Sequence, residues 1–361
     1  MPTKHPYLPD HVSPPGGTLA DALEERGLSQ AQLADRMGRP KKTINEIVRG
    51  LARITPETAL ELESVLGIAA EFWLNRERRY REYVARAERE TAARNAIAWS
   101  KQFPLKAMAT FGWIPSATAS EATVAEVFSF FSVASVEGWG RTWESAEAQF
   151  RRSKTRAGKR PAVAAWLRRG EIEAAKVECA PFSAKRFRAS LDEVRLLTEA
   201  PPSQFVQRLI QLCSQAGVAL VFVPELPGVP VHAVTRWVAS DKAVIQLSLY
   251  YKSDDHLWFS FFHEAAHVLS EKRRIVFLDD GAIDSDDERD ADAFACDFLI
   301  PRRGYEGFCA EGQFDAPSVR AFAKEQGIAP GIVVGRLQHE RRILFSQLNS
   351  LKRRFKWADE S

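Results

Sequence analysis

The clearest chemistry in this 361-residue chain is offered by a histidine–glutamate–histidine cluster in the segment HLWFSFFHEAAHVLS. His263 and His267 are four residues apart, so on a helix their Cβ atoms lie on one face, about 5–6 Å apart. That separation lets both imidazoles reach one tetrahedral metal ion. Glu264 lies beside them, where its carboxylate is placed to take a proton from a water on that ion. The spacing therefore predicts a metal site with a general base.

A third ligand is expected from the acidic segment that follows, DDERDADAFACDFLIP. Its apolar residues recur at helical spacing, and Glu288 lies one turn before them on the same stripe. An inward carboxylate needs a cation, so Glu288 is the predicted third ligand. Asp292 is a candidate acceptor that orients a ligand histidine. Two histidines and a glutamate with an open fourth position favour catalytic zinc, although manganese or cobalt would also fit.

Two further histidines are candidates for the cleft around this site. His256 lies two turns before His263 and either lines the cleft or caps the helix. His339 lies on a late helix among several arginines, where it is a candidate to assist an oxyanion. Both residues are therefore candidates for the cleft rather than for the ion, and the capping role of His256 stays open.

This part of the chain resembles the ImmA/IrrE family of metallopeptidases. The resemblance rests on HEAAH, on the pattern ExxAxxFAxxxLxP that begins at Glu288, and on FAKEQGIAPGIVVGRLQ, and it covers roughly residues 205–345. It implies a zincin-like α+β domain with a gluzincin-like site that cleaves a protein, often a repressor of the XRE type. Two departures bear on activity: Ala266 stands where glycine is common, and Asp292 stands where asparagine is common.

The sequence leaves two alternatives to a peptidase open. In the first, the chain is a HigA-like repressor or antitoxin whose metal domain senses a ligand or partner and cuts nothing. In the second, the metal only stabilises the fold and the N-terminal module binds protein. Glu264 argues against the second alternative, because a purely structural site has no use for a base.

A second constellation, GLSQAQLADRMGRPKKTINEIVRG, predicts a helix-turn-helix. Ser29 and Gln32 form a capping box, and Gly38 permits the tight turn before a second helix. The apolar residues of that second helix form one stripe, which leaves a basic, amide-bearing face suited to the major groove. The candidate DNA contacts are Gln30, Arg39, Lys41, Lys42, Thr43, Asn45 and Arg49.

This region, roughly residues 15–85, resembles the Cro/C1-type (XRE) helix-turn-helix family, in particular its HigA-type antitoxin branch. The resemblance rests on LADRMGRPKKTINEIVRG followed by ITPETALELESVLGIAAEFWLN. It implies a five-helix domain, a homodimer on a pseudo-palindromic operator in double-stranded DNA, and the helix from Pro40 to Val48 as the reading helix. The turn GRPKK is more basic than is usual in the family, so the base preference is not carried over.

The elements that must position these residues predict a mainly α chain with a small β-sheet, of the α+β class. We expect a helix-turn-helix domain over residues 1–87 and a helical, aromatic-rich middle region over 88–200, packed between the two functional domains. A metallopeptidase domain with a basic helical tail is expected over 201–361. The predicted strands are VALVFV, Ala233–Val238 and Ala243–Leu247.

Composition and charge limit the remaining classes of protein. Fifty basic and 47 acidic residues give a net charge of +3, but basic residues cluster between Arg36 and Arg53 and acidic residues between Asp279 and Asp292. The apolar run Val218–Val223 is too short to cross a bilayer, and the N-terminal segment MPTKHPYLPD lacks an apolar signal core. Four widely spaced cysteines are typical of reduced thiols.

These features together predict a cytoplasmic regulator with no membrane segment. The functional hypothesis is a DNA-binding transcriptional regulator whose zinc-dependent endopeptidase domain cleaves a repressor-like protein. We expect it to act in a stress, mobile-element or toxin–antitoxin circuit.

Overall fold

The computed structural model describes residues 12–144, 160–229, 231–270, 277–279 and 286–357. The chain divides into two compact units, Met1–Asn95 and Ala96–Ser361. The boundary predicted after residue 87 therefore falls inside a helix that runs to Asn95. The boundary predicted near residue 200 falls inside the second unit.

The described elements of the first unit are all helices, and there are five of them, as expected from the sequence. These elements are α1 (Pro15–Glu25), α2 (Gln30–Met37), α3 (Lys41–Val48), α4 (Pro56–Leu66) and α5 (Ala70–Asn95). The Ser29 side chain accepts from Gln32 N and the Gln32 side chain accepts from Ser29 N, so the predicted capping box begins α2. Gly38 ends α2 with φ 66°, a left-handed conformation that favours glycine.

The core of this unit holds the two helices of the turn together. Leu33 of α2 and Ile44 of α3 are completely buried, and Ile47 is nearly so. Gly16 of α1 lets that helix pack directly on α3, since a Cβ there would lie 2.1 Å from the carbonyl oxygen of Ile47. The buried stripe fixes which face of α3 remains outside.

The second unit is built on a sheet with strand order β1-β3-β2-β4 in the described residues. The strands are β1 (Val218–Phe222), β2 (Ala233–Ala239), β3 (Lys242–Leu247) and β4 (Phe277–Asp279). β1 runs parallel to β3, whereas β2 is antiparallel to both β3 and β4. The expected α+β class and the three strands predicted from sequence are confirmed, and β4 is an addition.

Helices lie on both faces of this sheet. The described helices of the second unit are α6 (Ile97–Ser100), α7 (Leu105–Thr110), α8 (Glu121–Phe131), α9 (Val136–Trp139), α10 (Arg160–Lys176), α11 (Ala184–Leu196), α12 (Pro202–Gln215), α13 (Asp254–Leu269), α14 (Asp286–Leu299), α15 (Arg302–Glu311), α16 (Ala316–Gln326) and α17 (Pro330–His339). None of the described helices is both long and apolar enough to span a membrane.

The middle region belongs to the second unit because the sheet is buried on two sides. Val218 and Leu220 of β1 point into the core that contains α12 and α13. Ala219 and Val221 point into a second core with Trp166 of α10 and the aromatic residues of α6, α8 and α9. A strand whose residues are buried on both faces needs a cover on each face, and residues 96–144 and 160–176 supply the second cover.

Polar contacts hold α10 on the sheet as well. Gln246 of β3 donates to the carbonyl oxygen of Trp166 at 2.8 Å, and Arg236 of β2 donates to that of Leu167 at 2.9 Å. Gly170 is required at this crossing, because a Cβ there would lie 1.6 Å from Oε1 of Gln246. The middle region is therefore structurally part of the sheet domain.

The basic tail predicted as helical leaves the α-helix at His339. Arg341 and Leu348 both have φ 58°, which breaks the helix, and a 3₁₀ turn follows at Asn349–Leu351. The carbonyl oxygens of Phe345 and Gln347 accept from the side chain of Gln338 instead of from backbone N–H groups. The tail then pairs with the start of α13 through a bridge between Ser253 and Arg354.

Candidate metal centre and candidate nucleic-acid interface

Helix α13 carries the predicted histidine–glutamate–histidine motif in the core of the second unit. It packs against β2, β3, α14 and α17, and most of its residues are buried. His263 and His267 are buried, and their Nε2 atoms lie 3.0 Å apart. The one-turn spacing therefore brings both imidazoles to a single point, as the sequence predicts.

Glu288 reaches this point from the first turn of α14. Its Oε2 lies 3.1 Å from Nε2 of His263, and its Oε1 lies 3.6 Å from Nε2 of His267. The three potential ligand atoms all lie within 4.8 Å of one another. The structure thus brings together the three residues that the sequence predicts as ligands.

The ionisation of Glu288 suits a metal ligand. Burial raises the pKa of this carboxyl, but hydrogen bonds with His263 and His267 outweigh it and hold the pKa at about 2. The carboxylate is therefore charged at neutral pH. A buried negative oxygen and two imidazole nitrogens that face one another need a cation or protons between them.

Asp292 lies one turn further along α14, and its Oδ1 is 2.9 Å from Nδ1 of His263. In this arrangement Nδ1–H of His263 donates to the carboxylate and Nε2 points towards Glu288. A carboxylate on the second nitrogen of a ligand histidine fixes its tautomer and ring orientation. The geometry matches the orienting role expected for Asp292.

Glu264 is completely buried next to the two histidines. Its backbone carbonyl accepts a hydrogen bond from Oγ1 of Thr235 at 3.2 Å, which ties this turn of α13 to β2. The residue is thus held rigidly between the ligand histidines and the sheet.

A cavity of about 380 Å³ opens beside the cluster and is bordered by His263 and Glu288. His256 and His339, the two predicted cleft histidines, both line it. His256 stacks on the ring of Tyr251 with 3.9 Å between centroids. Both histidines therefore border the same space as the cluster, although neither lies among the three clustered ligands.

The cavity also contains polar residues that the sequence did not single out. Lys352 and Gln338 line it, and Nζ of Lys352 donates to Oε1 of Gln338 at 2.7 Å. Gln338 lies one turn after Val334 on the buried stripe of α17. A glutamine on an otherwise apolar stripe could have been recognised in the sequence as a residue with a polar task. Lys352 shows no such local pattern, because its partners Asp255 and Gln338 are distant in the sequence.

On the first unit, α3 exposes the face that was predicted to contact DNA. Lys41, Lys42, Asn45 and Arg49 are exposed on it, and Thr43 is partly exposed. Gln30, at the start of α2, accepts a hydrogen bond from Nδ2 of Asn45 at 3.3 Å. Six of the seven predicted contacts are therefore at least partly exposed on or beside α2 and α3, and Gln30 and Asn45 join the two helices.

Arg39 differs from the other predicted DNA contacts. Its guanidinium forms a two-point ion pair with Glu61 of α4, with N–O distances of 2.8 and 3.0 Å. The paired carboxylate raises the pKa of Arg39 and neutralises its charge locally. The sequence did not reveal this partner because Glu61 is 22 residues away in the chain. Arg39 therefore holds α4 against the turn.

Comparisons with known proteins concern the helix-turn-helix region. Residues 19–73 match the family model described as helix-turn-helix. The uncharacterized HTH-type transcriptional regulator YddM of Escherichia coli (strain K12) is 33% identical over 61 residues, which are 17% of this chain. The match spans 65% of the length of that relative.

Two solved structures are also similar to this chain. An addiction module antidote protein of the HigA family from Coxiella burnetii is 33% identical, over 22% of this chain and 86% of that one, with a TM-score of 0.21. A protein described as an antidote of a plasmid maintenance system, from Nostoc punctiforme PCC 73102, is 29% identical over 21% and 84%, with a TM-score of 0.21. By its match to the family model, the N-terminal region of this chain contains an XRE-type helix-turn-helix domain over residues 19–73.

Proposed function

We propose that this chain is a DNA-binding transcriptional regulator of the XRE/HigA type whose second unit is a zinc-dependent endopeptidase. The observation that carries the peptidase part is the convergence of His263, His267 and Glu288, whose ligand atoms lie within 4.8 Å of one another. The substrate we infer is a repressor-like regulatory protein.

The donor set fits a zinc ion. Two imidazole nitrogens and one carboxylate oxygen are the ligands of catalytic rather than structural zinc, which uses four protein ligands. The same set would accept manganese or cobalt. The two histidines are buried, Glu288 is partly buried, and all three present lone pairs to one point, which is costly unless a cation lies there.

Each nearby residue then has a defined task. A bound ion of this kind polarises a peptide carbonyl and makes water more acidic. Asp292 holds the ring of His263 in one tautomer through the 2.9 Å contact. Glu264 accepts a proton from the attacking water at its carboxylate and passes it to the departing amine. The cavity beside His263 and Glu288 offers space for the substrate segment.

The DNA-binding part rests on the surface of α2 and α3. Lys41 and Lys42 are exposed cations that would meet phosphates, and Asn45 carries the donor–acceptor pair that recognises adenine in the major groove. We infer a homodimer on a pseudo-palindromic operator, acting in the cytoplasm where its DNA is. The HigA-family antidote from Coxiella burnetii supports a toxin–antitoxin setting.

The experiment that tests the peptidase uses the purified chain loaded with zinc and repressor-like proteins encoded near it. Wild-type protein should yield substrate fragments in mass spectrometry, and a chelator should abolish them. Glu264→Gln should retain zinc but lose cleavage, because an amide cannot accept the proton; general bases typically contribute about 100-fold to 10,000-fold in rate. Fragments formed equally fast by Glu264→Gln would contradict the proposed mechanism.

The rival function is a sensor whose metal domain cuts nothing. A sensor needs the ion and the cavity but no proton acceptor. Its regulation should therefore fail in His263→Ala and persist in Glu264→Gln, whereas a peptidase fails in both variants. Because Glu264→Gln is close in size to the native residue, it separates the two functions without creating a cavity.

A further inference from the structure

The backbone of an exposed aromatic residue that lines the 380 Å³ cavity is held by hydrogen bonds from a buried side chain. Phe345 lines the cavity and yet is 71% exposed. Gln338 is 2% exposed, and its Nε2 donates to the carbonyl oxygens of Phe345 and Gln347 and to Oδ1 of Asn349, at 3.2, 2.8 and 3.1 Å. Asn349 donates in turn to the carbonyl oxygen of Phe345 at 2.8 Å. The backbone that presents Phe345 is therefore anchored in the core.

The anchor is connected to the helix that carries the ligand cluster. Nζ of Lys352 donates to Oε1 of Gln338 at 2.7 Å and to Oδ2 of Asp255 at 2.5 Å. Asp255 belongs to the first turn of α13, two turns before His263. A continuous chain of buried polar contacts therefore runs from the metal-site helix to the loop of Phe345.

The loop has a left-handed residue at each end. Arg341 and Leu348 both have φ 58°, where side-chain-bearing residues are rarely found. Such conformations persist where the surrounding structure over-determines them, and they cluster at functional sites. Because the backbone at Phe345 is anchored, a partner that binds there has little more than the side chain to order.

A second exposed aromatic residue lines the same cavity. Tyr251 is 45% exposed and stacks on His256. The cavity lining also contains the apolar side chains of Leu299, Ile300 and Ile332. The cavity thus offers two partly exposed aromatic rings and apolar side chains to an occupant.

The lysine and the arginine that line the cavity are already paired. Lys352 is paired with Asp255, and both are nearly buried. Arg336 is paired with Glu340 at 3.1 Å and also donates to the carbonyl oxygens of Cys296 and Ile300. Neither cation needs an anion from a ligand, so an acidic side chain would gain no new ion pair with them and would enter at a desolvation cost.

We propose that Phe345 and Tyr251 form a recognition site for a bulky apolar side chain of a peptide segment that binds at the His263–His267–Glu288 cluster. Gln338 and Lys352 are positioning residues for Phe345. The peptide nature of the occupant rests on the proposed function. The substrate is thus recognised by an apolar side chain that enters the same cavity as the cluster.

The test uses the full-length chain loaded with zinc and two peptide hydroxamates that differ only in one side chain, leucine or aspartate. Isothermal titration calorimetry should give an affinity for the leucine compound at least about tenfold higher, as expected for burial of one large apolar side chain. Phe345→Ala should reduce this ratio by about tenfold. Leu344→Ala is the matched control, since Leu344 is 68% exposed but lies outside the cavity lining.

Gln338→Leu tests the positioning role separately. It removes the anchor of the loop but keeps Phe345, so the leucine-to-aspartate ratio should fall while zinc content, measured by elemental analysis, stays near one ion per chain. Equal affinities in the wild type, or an unchanged ratio in Phe345→Ala, would overturn the inference. A wild-type chain that takes up no zinc would overturn the proposed function first, and elemental analysis reports that outcome independently of the hydroxamates.

Discussion

At the scale of single residues, the cluster distinguishes groups that would hold an ion from a group that orients one of them. Nε2 of His263, Nε2 of His267 and the Glu288 carboxylate meet at one point, whereas Asp292 contacts only the far nitrogen of His263. Loss of a ligand removes a bond to the ion, and loss of an orienting group only weakens an existing bond. The two classes of residue should therefore respond differently to substitution.

Metal content should follow this distinction. Glu288→Ala should leave the purified chain with little bound zinc in elemental analysis, whereas Asp292→Ala should bind zinc about 10-fold to 100-fold more weakly in competition with a chromophoric chelator. Asp290→Ala is the control, because Asp290 is exposed on the same turn of α14. Full occupancy in Glu288→Ala together with loss in Asp290→Ala would show that the third ligand is misassigned.

Arg39 should act on stability rather than on DNA. Its ion pair with Glu61 is about one-third exposed at both side chains, so Arg39→Ala should lower the free energy of unfolding only slightly. Operator affinity should change less than in Lys41→Ala, since the charge of Arg39 is already paired. Urea denaturation and fluorescence anisotropy measure the two effects. If Arg39→Ala lost as much operator affinity as Lys41→Ala and kept its stability, Arg39 would be a DNA contact after all.

At the scale of elements, local patterns predicted the parts of the fold that depend on local order. The capping box at Ser29, the turn at Gly38 and three strands were all visible in the sequence. Strand β4 has three residues and no period that a pattern could reveal. The ion pair of Arg39 and the contact of Lys352 with Asp255 join residues that are far apart in the chain. A local sequence pattern therefore cannot predict them.

Helix α3 should carry the electrostatic part of DNA binding. Replacing Lys41 and Lys42 by alanine removes two candidate phosphate contacts, so binding should weaken on every sequence and the slope of log affinity against log salt should flatten by about two units. Asn45→Ala should instead relax sequence preference with little change in that slope. Fluorescence anisotropy over a salt series measures both. Unchanged binding in both variants would show that the DNA-binding surface does not lie on α3.

Helix α10 should be needed for the stability of the sheet. Gly170→Ala places a methyl group where Oε1 of Gln246 lies, so we expect a loss of about 1–3 kcal/mol in the free energy of unfolding. Gly307→Ala is the matched control, because it lies in α15 with no other atom within 4 Å of an added Cβ. Chemical denaturation compares the two. Equal stabilities would mean that α10 is not held on the sheet as described.

At the scale of the whole molecule, the chain combines a helix-turn-helix unit with a sheet unit that contains the candidate metal centre. Residues 96–144 and 160–176 cover one face of the sheet and belong to the sheet unit, so the described part of the middle region does not form a unit of its own. Any signal from the metal centre must therefore start within this second unit. Regulation by cleavage would make the response irreversible for each substrate molecule.

The central claim is that regulation depends on proteolysis at the cluster, and a promoter controlled by this protein or by the repressor it cuts tests it most directly. Reporter expression is measured before and after induction in strains with the wild-type chain, Glu264→Gln and His267→Ala. Both variants should stay in the uninduced state, since Glu264→Gln lacks the proton acceptor and His267→Ala lacks a ligand of the ion. Normal induction in Glu264→Gln, with failure only in His267→Ala, would contradict it.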